Sequence, residues 1–157
     1  MEPIMQYRIA SPADYGQLAH LYWTYASEEN DSPEFDENAF TRRFHAFLKA
    51  CMGVDYICWV AEEAGRIVSV VYIGMLEKMP SLSEERLRIG YVANVFTLPA
   101  LRNREIAAGL MDTVQDWART HSFETLFVLP GEKSVPFFER QAFSADNGIM
   151  GYSFRKD

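Results

Sequence analysis

Residues 95–111 read VFTLPALRNREIAAGLM and carry the clearest structural signal in the chain. They begin inside a β-forming run, RIGYVANVFTL, which Pro99 ends because proline has no N–H to donate to a strand ladder. Apolar residues from Ile106 to Trp117 then recur at helical spacing, which predicts a long helix with one buried face. The next apolar run, TLFVLP, predicts a short strand, and a helical crossover between two strands places them parallel.

Upstream of this unit, the sequence predicts one strand and two helices. The segment MQYRIA alternates as a short strand, and Ser11-Pro12 then supplies an N-cap followed by proline at the first helical position. Apolar spacing extends this first helix to about Ser27, and it predicts a second helix from about Asp36 to Ala50.

The middle of the chain predicts an antiparallel hairpin. Its strands are YICWVAEE and RIVSVVYIGML, and the intervening Ala64-Gly65 provides a tight turn. A polar loop with Pro80 and Glu84-Glu85 leads from this hairpin to the fourth strand. After the fifth strand, the runs SVPFFERQ and IMGYSF predict a short helix and a final strand.

These elements predict an α/β (α+β) fold formed by residues 1–157 as a single domain. The sheet is mixed and mostly antiparallel, with six to seven strands, about four flanking helices, and strands four and five parallel. A length of 157 residues suits one hydrophobic core.

Composition excludes several classes of function. A hydrophobic content of 48% predicts a folded globular chain, and a net charge of -7 argues against general nucleic-acid binding. Cys51 and Cys58, with His20, His45 and His121, show none of the paired spacings of a zinc site, so we expect no metal. There is neither an apolar run of membrane-spanning length nor a signal-peptide pattern at the start, so we expect a cytoplasmic protein that does not bind membranes.

The helix start after Pro99 is a candidate anion site. Unpaired N–H groups at the amino end of a helix favour phosphate, and Arg102 and Arg104 would add charge. An ordinary helix start explains the same residues, because Asn103 is a good N-cap and Glu105 suits a first turn. The local features alone favour this simpler interpretation.

The same stretch resembles the GNAT superfamily of N-acetyltransferases. The hallmark of that family is V-x-x-x-P-x-x-R/Q-x-x-G-x-G/A, and Val95, Pro99, Arg102 and Ala107 stand in register with it. The segment SVPFFERQAF is similar to the family's A-x-x-F-Y-E-K-x-G-F. Residues 90–143 carry the resemblance, and the first 50 residues agree in outline.

The resemblance implies an acetyl-CoA site between splayed fourth and fifth strands. A bulge near Val95 would expose the strand edge to the pantetheine arm, and the amides after Arg102 would hold the diphosphate. The cofactor-binding residues implied are Val95, Phe96, Thr97, Arg102, Asn103, Arg104, Glu105, Ile106 and Ala107, with Ser134 and Phe137 near the thioester.

Three departures from the family pattern bear on activity. Glu105 and Ala142 replace glycines, which permit close backbone approach to a ligand. Phe138 replaces the tyrosine that protonates the departing thiolate in many members. Asn94, on the fourth strand near the cleft, and Phe138 are the candidate catalytic positions; Tyr91 and Glu77 also lie near, and none of them is identified as the base.

The implied function is acetyl transfer from acetyl-CoA to a primary amine of a small molecule or peptide, by direct attack. The alternative is a catalytically silent relative that binds an acyl-CoA or a protein partner. An acidic run between the first two helices would attract a cationic amine or form a solvated loop, and nearby aromatics would line a pocket or fill the core. The acidic run comprises Glu28, Glu29, Asp31, Glu34, Asp36 and Glu37, and the aromatics are Tyr22, Trp23, Tyr25 and Phe35. Homodimers are common in the family, and no residue here identifies an interface.

Overall fold

The computed structural model describes residues 4–28, 30–82 and 87–155. Glu29 of the acidic run and Glu84-Glu85 of the polar loop lie outside this described part. The elements follow the predicted order: β1 (Met5–Ile9), α1 (Tyr15–Ser27), α2 (Glu37–Cys51), β2 (Tyr56–Glu63), β3 (Arg66–Glu77), β4 (Arg88–Thr97), α3 (Ile106–Thr120), β5 (Phe123–Val128) and α4 (Val135–Arg140). A 3-10 turn at Pro12–Asp14 leads into α1.

The hairpin of β2 and β3 forms as predicted. Glu63 pairs with Arg66 across Ala64 and Gly65, whose φ angles are 54° and 77°. Two consecutive positive φ angles are typical of a type I′ turn, whose twist matches that of the flanking strands. A two-residue loop therefore sets the register of the two longest runs of buried strand.

The sheet has the strand order β1-β2-β3-β4-β5. All neighbouring pairs are antiparallel except β4 and β5, which are parallel and joined through α3. The predicted mixed, mostly antiparallel sheet with its parallel pair is confirmed. This pair matters for function because two strands running the same way end at the same edge.

Helices cover both faces of the sheet. Leu110, Met111 and Val114 of α3 pack on one face, and Phe138 of α4 joins them. Residues of α1 and α2 pack on the other face with Val60, Val70 and Tyr72, among others. Because β2 and β3 are buried on both sides, they read as nearly continuous apolar runs.

The predicted strand count is too high. Five strands form within the described residues, and residues 149–154, predicted as a final strand, are not part of the sheet. This segment has no regular secondary structure, and Met150 and Phe154 are 96% and 91% exposed. Alternating apolar residues allow a strand, but only a neighbouring ladder makes one, and this segment has no ladder partner in the described part of the chain.

None of the helices in the described ranges combines the length and apolarity needed to cross a membrane.

Candidate active site

An extra residue interrupts β4 where it pairs with β3. Tyr72 pairs with Asn94 and Ile73 pairs with Val92, so Ala93 has no counterpart on β3. Such a β-bulge bends the strand and increases its twist. The parallel ladder with β5 also ends here, at the pair of Val92 with Val128.

Beyond the bulge, one edge of β4 is open. The Leu98 N–H donates to the Val68 carbonyl, and hydrogen-bonded pairs alternate along an antiparallel ladder. The backbone groups of Val95 and Thr97 therefore point away from β3, towards the side where the β5 ladder has ended. The structure thus places these two predicted positions on the open edge.

A buried hydroxyl pair fixes this end of β4 to β3. The Ser69 Oγ donates to the Phe96 carbonyl at 3.1 Å and lies 2.8 Å from the Thr97 Oγ1. Both side chains are buried. Phe96 is buried in the core shared with α1 and α2, so its side chain is not on the open edge.

The chain then turns and enters α3. The Gly109 N–H donates to the Glu105 carbonyl at 3.0 Å, which closes the first helical turn. The N–H groups that precede it, from Glu105 onward, have no intrahelical acceptor and are available to an anion. Ile106 is buried beneath this end and anchors it to the sheet.

Asn103 is not the N-cap that the sequence predicted. Glu105 occupies that position with φ of 62°, and Asn103 has φ of 68°. Both residues adopt the left-handed conformation, which glycine and asparagine tolerate better than glutamate. The turn therefore keeps a glycine-type backbone although Glu105 is not glycine.

The two arginines of the turn are both engaged. The Arg102 Nε donates to the Thr97 carbonyl at 3.0 Å, and its Nη2 pairs with Glu28 at 2.7 Å. Arg104 lies 3.8 Å from Glu63 at the end of β2. Of the two, Arg104 has the longer ion pair and 54% of its side chain exposed, so it is the more available to a phosphate.

The remaining positions expected near the thioester lie around α4. Ser134 precedes the helix and its hydroxyl donates to the Gly131 carbonyl. Phe138 is 6% exposed and packs edge-on against Phe137 and Phe143 at about 5 Å. Its ring is part of the core on the α3 face.

Asn94 lies on the opposite face. It pairs directly with Tyr72, which belongs to the core shared with α1 and α2. Its Oδ1 is buried and accepts no hydrogen bond within the described residues. A buried carbonyl oxygen without a hydrogen bond is energetically unfavourable. A ligand or water that donates a hydrogen bond to this oxygen would remove that cost.

The acidic region after α1 forms a pocket of about 240 Å³. Its lining includes aromatic, small and acidic side chains: Trp23, Ala26, Ser27, Asn30, Pro33, Glu34, Phe35 and Phe40. Among the acidic residues described there, Glu28 pairs with Arg102, Glu37 with His20, and Asp36 caps α2. Three of the five described residues of the acidic run thus have a structural partner, and Glu34 is the one that lines the pocket. Groups of three or more His, Cys, Asp or Glu suited to a metal are absent from the described residues.

A family model for the GNAT acetyltransferases matches residues 15–143. The chain belongs to the GNAT acetyltransferase family. A search of curated protein sequences finds no match.

Solved structures show the same fold. A predicted acetyltransferase from Clostridium acetobutylicum, crystallised with acetyl-CoA, superposes with a TM-score of 0.71 at 22% identity, over 96% of each chain. The ribosomal-protein-alanine N-acetyltransferase of Brucella melitensis biovar Abortus 2308 gives 0.72 at 20% identity, over 98% of this chain and all of that one. The glucosamine-6-phosphate N-acetyltransferase of Arabidopsis thaliana gives 0.65 at 15% identity, over 97% of this chain and 99% of that one.

Both positions at which this GNAT chain departs from a glycine of the family pattern have a backbone conformation that glycine favours. Glu105 has φ of 62° and Ala142 has φ of 67°, each in the left-handed region. The surrounding turn must therefore impose a conformation that costs a non-glycine residue roughly 1–2 kcal/mol. The Ala142 N–H donates to the Glu139 carbonyl and the Phe143 N–H to the Phe138 carbonyl, which hold the second turn.

The structure brings together tyrosines that the sequence predictions name separately or do not name. Tyr22, Tyr56 and Tyr91 come from α1, β2 and β4, and their proximity depends on tertiary packing. The sequence predicts that Tyr22 lines a pocket or fills the core and that Tyr91 lies near the cleft, whereas nothing in the sequence points to Tyr56.

Proposed function

We propose that this GNAT chain transfers an acetyl group from acetyl-CoA to a primary amine of a small molecule or peptide. The observation that carries the proposal is the open edge of β4, where the Val95 backbone faces away from β3 beyond the last β5 pair. The Thr97 backbone faces the same way, and its carbonyl accepts a hydrogen bond from Arg102. The free N–H groups at the start of α3 begin at Glu105, eight residues after Thr97. An extended ligand with a diphosphate at one end would lie along the open edge of β4 and place its diphosphate at the amino end of α3.

The residues present suit acetyl-CoA. The Val95 backbone can pair with the amide groups of the pantetheine arm as an added strand would, and these contacts do not depend on the side chain. The N–H groups of Ile106 and Ala107, with the Arg104 charge, suit the diphosphate. Acetyl-CoA supplies the acetyl group as an activated thioester.

The proposed reaction is a direct transfer. The amine nitrogen forms a bond to the acetyl carbon, the carbon–sulfur bond breaks, and the sulfur leaves with its electron pair. The proton that the nitrogen loses in this step passes to solvent or to the departing sulfur. An amine with an ordinary pKa near 10.4 must first lose a proton, which costs about 4.6 kcal/mol at pH 7. Holding the two reactants together is the main contribution we expect from the protein.

Phe138 does not donate a proton to the departing sulfur. Its buried ring packs against two other phenylalanines, so the position supports the core. A thiol with a pKa of about 8.5 is a tolerable leaving group without an acid. The same observation favours the second candidate function, a silent relative that binds acyl-CoA and transfers nothing.

Two measurements separate these functions. Calorimetry with acetyl-CoA is expected to show micromolar binding, and a thiol-release assay over a panel of amines is expected to show turnover. Binding with no amine acetylated would support the silent relative. An absence of acetyl-CoA binding would rule out both.

A further inference from the structure

Aromatic side chains line the sheet face opposite α3. Tyr22 of α1 stacks on Phe44 of α2, with ring centroids 4.3 Å apart and nearly parallel planes. On the sheet, Tyr56 and Tyr91 flank Gly74, where a Cβ would lie 3.3 Å from the Tyr56 ring and 3.7 Å from the Tyr91 Cβ. Gly74 therefore leaves room for the two neighbouring rings.

The row of rings continues to the strand that bounds the open edge. Tyr91 stacks on Phe127 of β5 with centroids 5.1 Å apart. At the α1 side of the row, the ring centroid of Tyr25 lies 5.7 Å from that of Tyr22 and 5.5 Å from that of Phe96. We call Tyr22, Tyr25, Tyr56 and Tyr91 the tyrosine cluster.

The environment of the cluster favours the neutral phenol of Tyr22. Burial raises the pKa of Tyr22, and the nearby phenols of Tyr25, Tyr56 and Tyr91 raise it further. Tyr25 is 41% exposed and the other three are half-buried, so solvent reaches the cluster. The result is a partly exposed aromatic surface that carries phenol hydroxyl groups.

Asn94 lies on the same face of the sheet. Its partner across the ladder is Tyr72, and neither end of its amide has a hydrogen-bond partner in ranges 4–28, 30–82 and 87–155. The amide can donate two hydrogen bonds and accept two. An amide in such a position is satisfied when a ligand brings a donor or an acceptor.

We infer that the tyrosine cluster and Asn94 bind the acceptor amine, and that this acceptor is a primary amine attached to an aromatic or other flat apolar group. This inference rests on the proposed function, because the open edge of β4 fixes where the acetyl group is delivered. The ring faces attract an ammonium and pack against an apolar body, and Asn94 accepts a hydrogen bond from the amine.

The surroundings disfavour an anionic acceptor. Arg102 lies against Phe96, beside Tyr25, but its charge is paired with Glu28. Glu34 lines the pocket next to Phe40, whose ring stacks on Tyr22. A cationic amine is therefore favoured at this end of the cleft.

Binding of phenethylamine to the CoA-saturated protein, measured by calorimetry, tests the inference. We expect saturable binding that Asn94→Ala weakens about tenfold, as for loss of a hydrogen bond to a charged group. Tyr25→Leu, at a partly exposed ring, is expected to weaken it severalfold. The matched control is Gln141→Ala, because Gln141 also has a buried unpaired Oε1, but at the end of α4. This variant should bind phenethylamine as the unmodified protein does.

The possible results of this experiment separate the inference from its alternatives. Phenethylamine binding no tighter than that of glucosamine, or equal losses in Asn94→Ala and Gln141→Ala, overturns the inference. Normal CoA binding without phenethylamine binding also overturns it and leaves the proposed function intact. If CoA itself does not bind, both the inference and the proposed function are wrong. If circular dichroism shows that Asn94→Ala does not fold, the affinity of Tyr25→Leu for phenethylamine is compared with that of Gln141→Ala instead.

Discussion

The Arg102 Nε donates a hydrogen bond to the Thr97 carbonyl oxygen at 3.0 Å, so the side chain folds back onto the strand that precedes it. The same guanidinium pairs with Glu28 of α1 and lies over the Phe96 ring, 5.3 Å from its centroid. Arg102 therefore joins the turn before α3 to both β4 and α1. We expect Arg102 to support the proposed diphosphate site by holding this turn, since its charge is already paired with Glu28.

Replacing Arg102 by alanine is expected to weaken acetyl-CoA binding severalfold. The turn loses its attachment to β4, and the free energy of unfolding falls by about 1 kcal/mol. Calorimetry and urea denaturation measure the two effects. Glu28→Gln, which removes only the ion pair, is the control and should retain most of the affinity. A large loss in both variants would show that the ion pair matters more than the hydrogen bond to Thr97.

Replacing Glu105 by glycine is expected to strengthen acetyl-CoA binding. A carboxylate about 8 Å from a phosphate, at an effective dielectric of about 40, repels it by about 1 kcal/mol, or about fivefold in affinity. Glycine also relieves the left-handed backbone at φ of 62°. Loss of a favourable charge at the amino end of the helix, worth about 0.3–1 kcal/mol, partly offsets the gain in stability.

Glu105→Gln separates the two causes, because it removes the charge and keeps the strain. We expect it to reproduce the gain in affinity, measured by calorimetry at low salt, without the gain in stability. The gain should shrink as salt screens the charge. Equal affinity in all three proteins would place the carboxylate away from the ligand.

The strands and helices on either side of this turn follow from local sequence. The β2–β3 hairpin is predictable because Ala64-Gly65 suits a tight turn between two β-rich runs. The β4–α3–β5 unit is predictable because a helical crossover returns the chain in the same direction. Residues 149–154 were predicted wrongly since alternation shows that a segment can pair, while pairing itself depends on a distant partner.

Replacing Gly109 by alanine is expected to destabilise the protein. A Cβ at this position of α3 would overlap the Tyr7 hydroxyl of β1. Overpacking of this kind costs about 1–3 kcal/mol, which exceeds the roughly 1 kcal/mol that alanine contributes to a helix. Thermal unfolding measures the change.

Gly16→Ala is the matched control, since Gly16 also lies in a helix and a Cβ there meets nothing within 4 Å. It should stabilise the protein by up to about 1 kcal/mol. Changes of the same sign in both variants would contradict close packing of Tyr7 on α3.

The ion pair of Arg8 with Asp14 is expected to make stability depend on pH. Arg8 donates two hydrogen bonds to the buried Asp14 carboxylate, at 2.8 and 2.9 Å, and the Ser11 N–H donates a third. The bond from Arg8, with that from Ser11, lowers the pKa of Asp14 to about 2. Because the folded pKa lies below the usual 3.8, the carboxylate stabilises the fold above about pH 4.

Asp14→Asn should therefore lower the free energy of unfolding by about 2 kcal/mol at pH 7. The difference from the unmodified protein should vanish as the pH falls from about 4 to 2, because the native carboxylate is then protonated as well. Urea denaturation at several pH values measures it. Asp116→Asn, in an ion pair with Arg119 that is over 70% exposed on each side, should change little. A constant difference at every pH would contradict the assignment to Asp14.

Less of the candidate site than of the fold could be predicted from the sequence. The motif from Val95 to Ala107 located the open edge and the start of α3, because both depend on residues close in the chain. Tyr22 and Tyr56 join Tyr91 only after helices and strands pack together. The unpaired amide of Asn94 is likewise a property of its neighbours, which residue type alone does not reveal.

The extra residue at Ala93 fixes which backbone groups of β4 face the open edge. Without it, the following residues would shift by one along β3, and each would turn to the opposite side. Val95 would then offer its backbone to β3, and Phe96 would offer its own to the cleft. This edge should therefore tolerate exchange of many side chains during evolution, while a deletion or insertion of a single residue between 92 and 97 should abolish it.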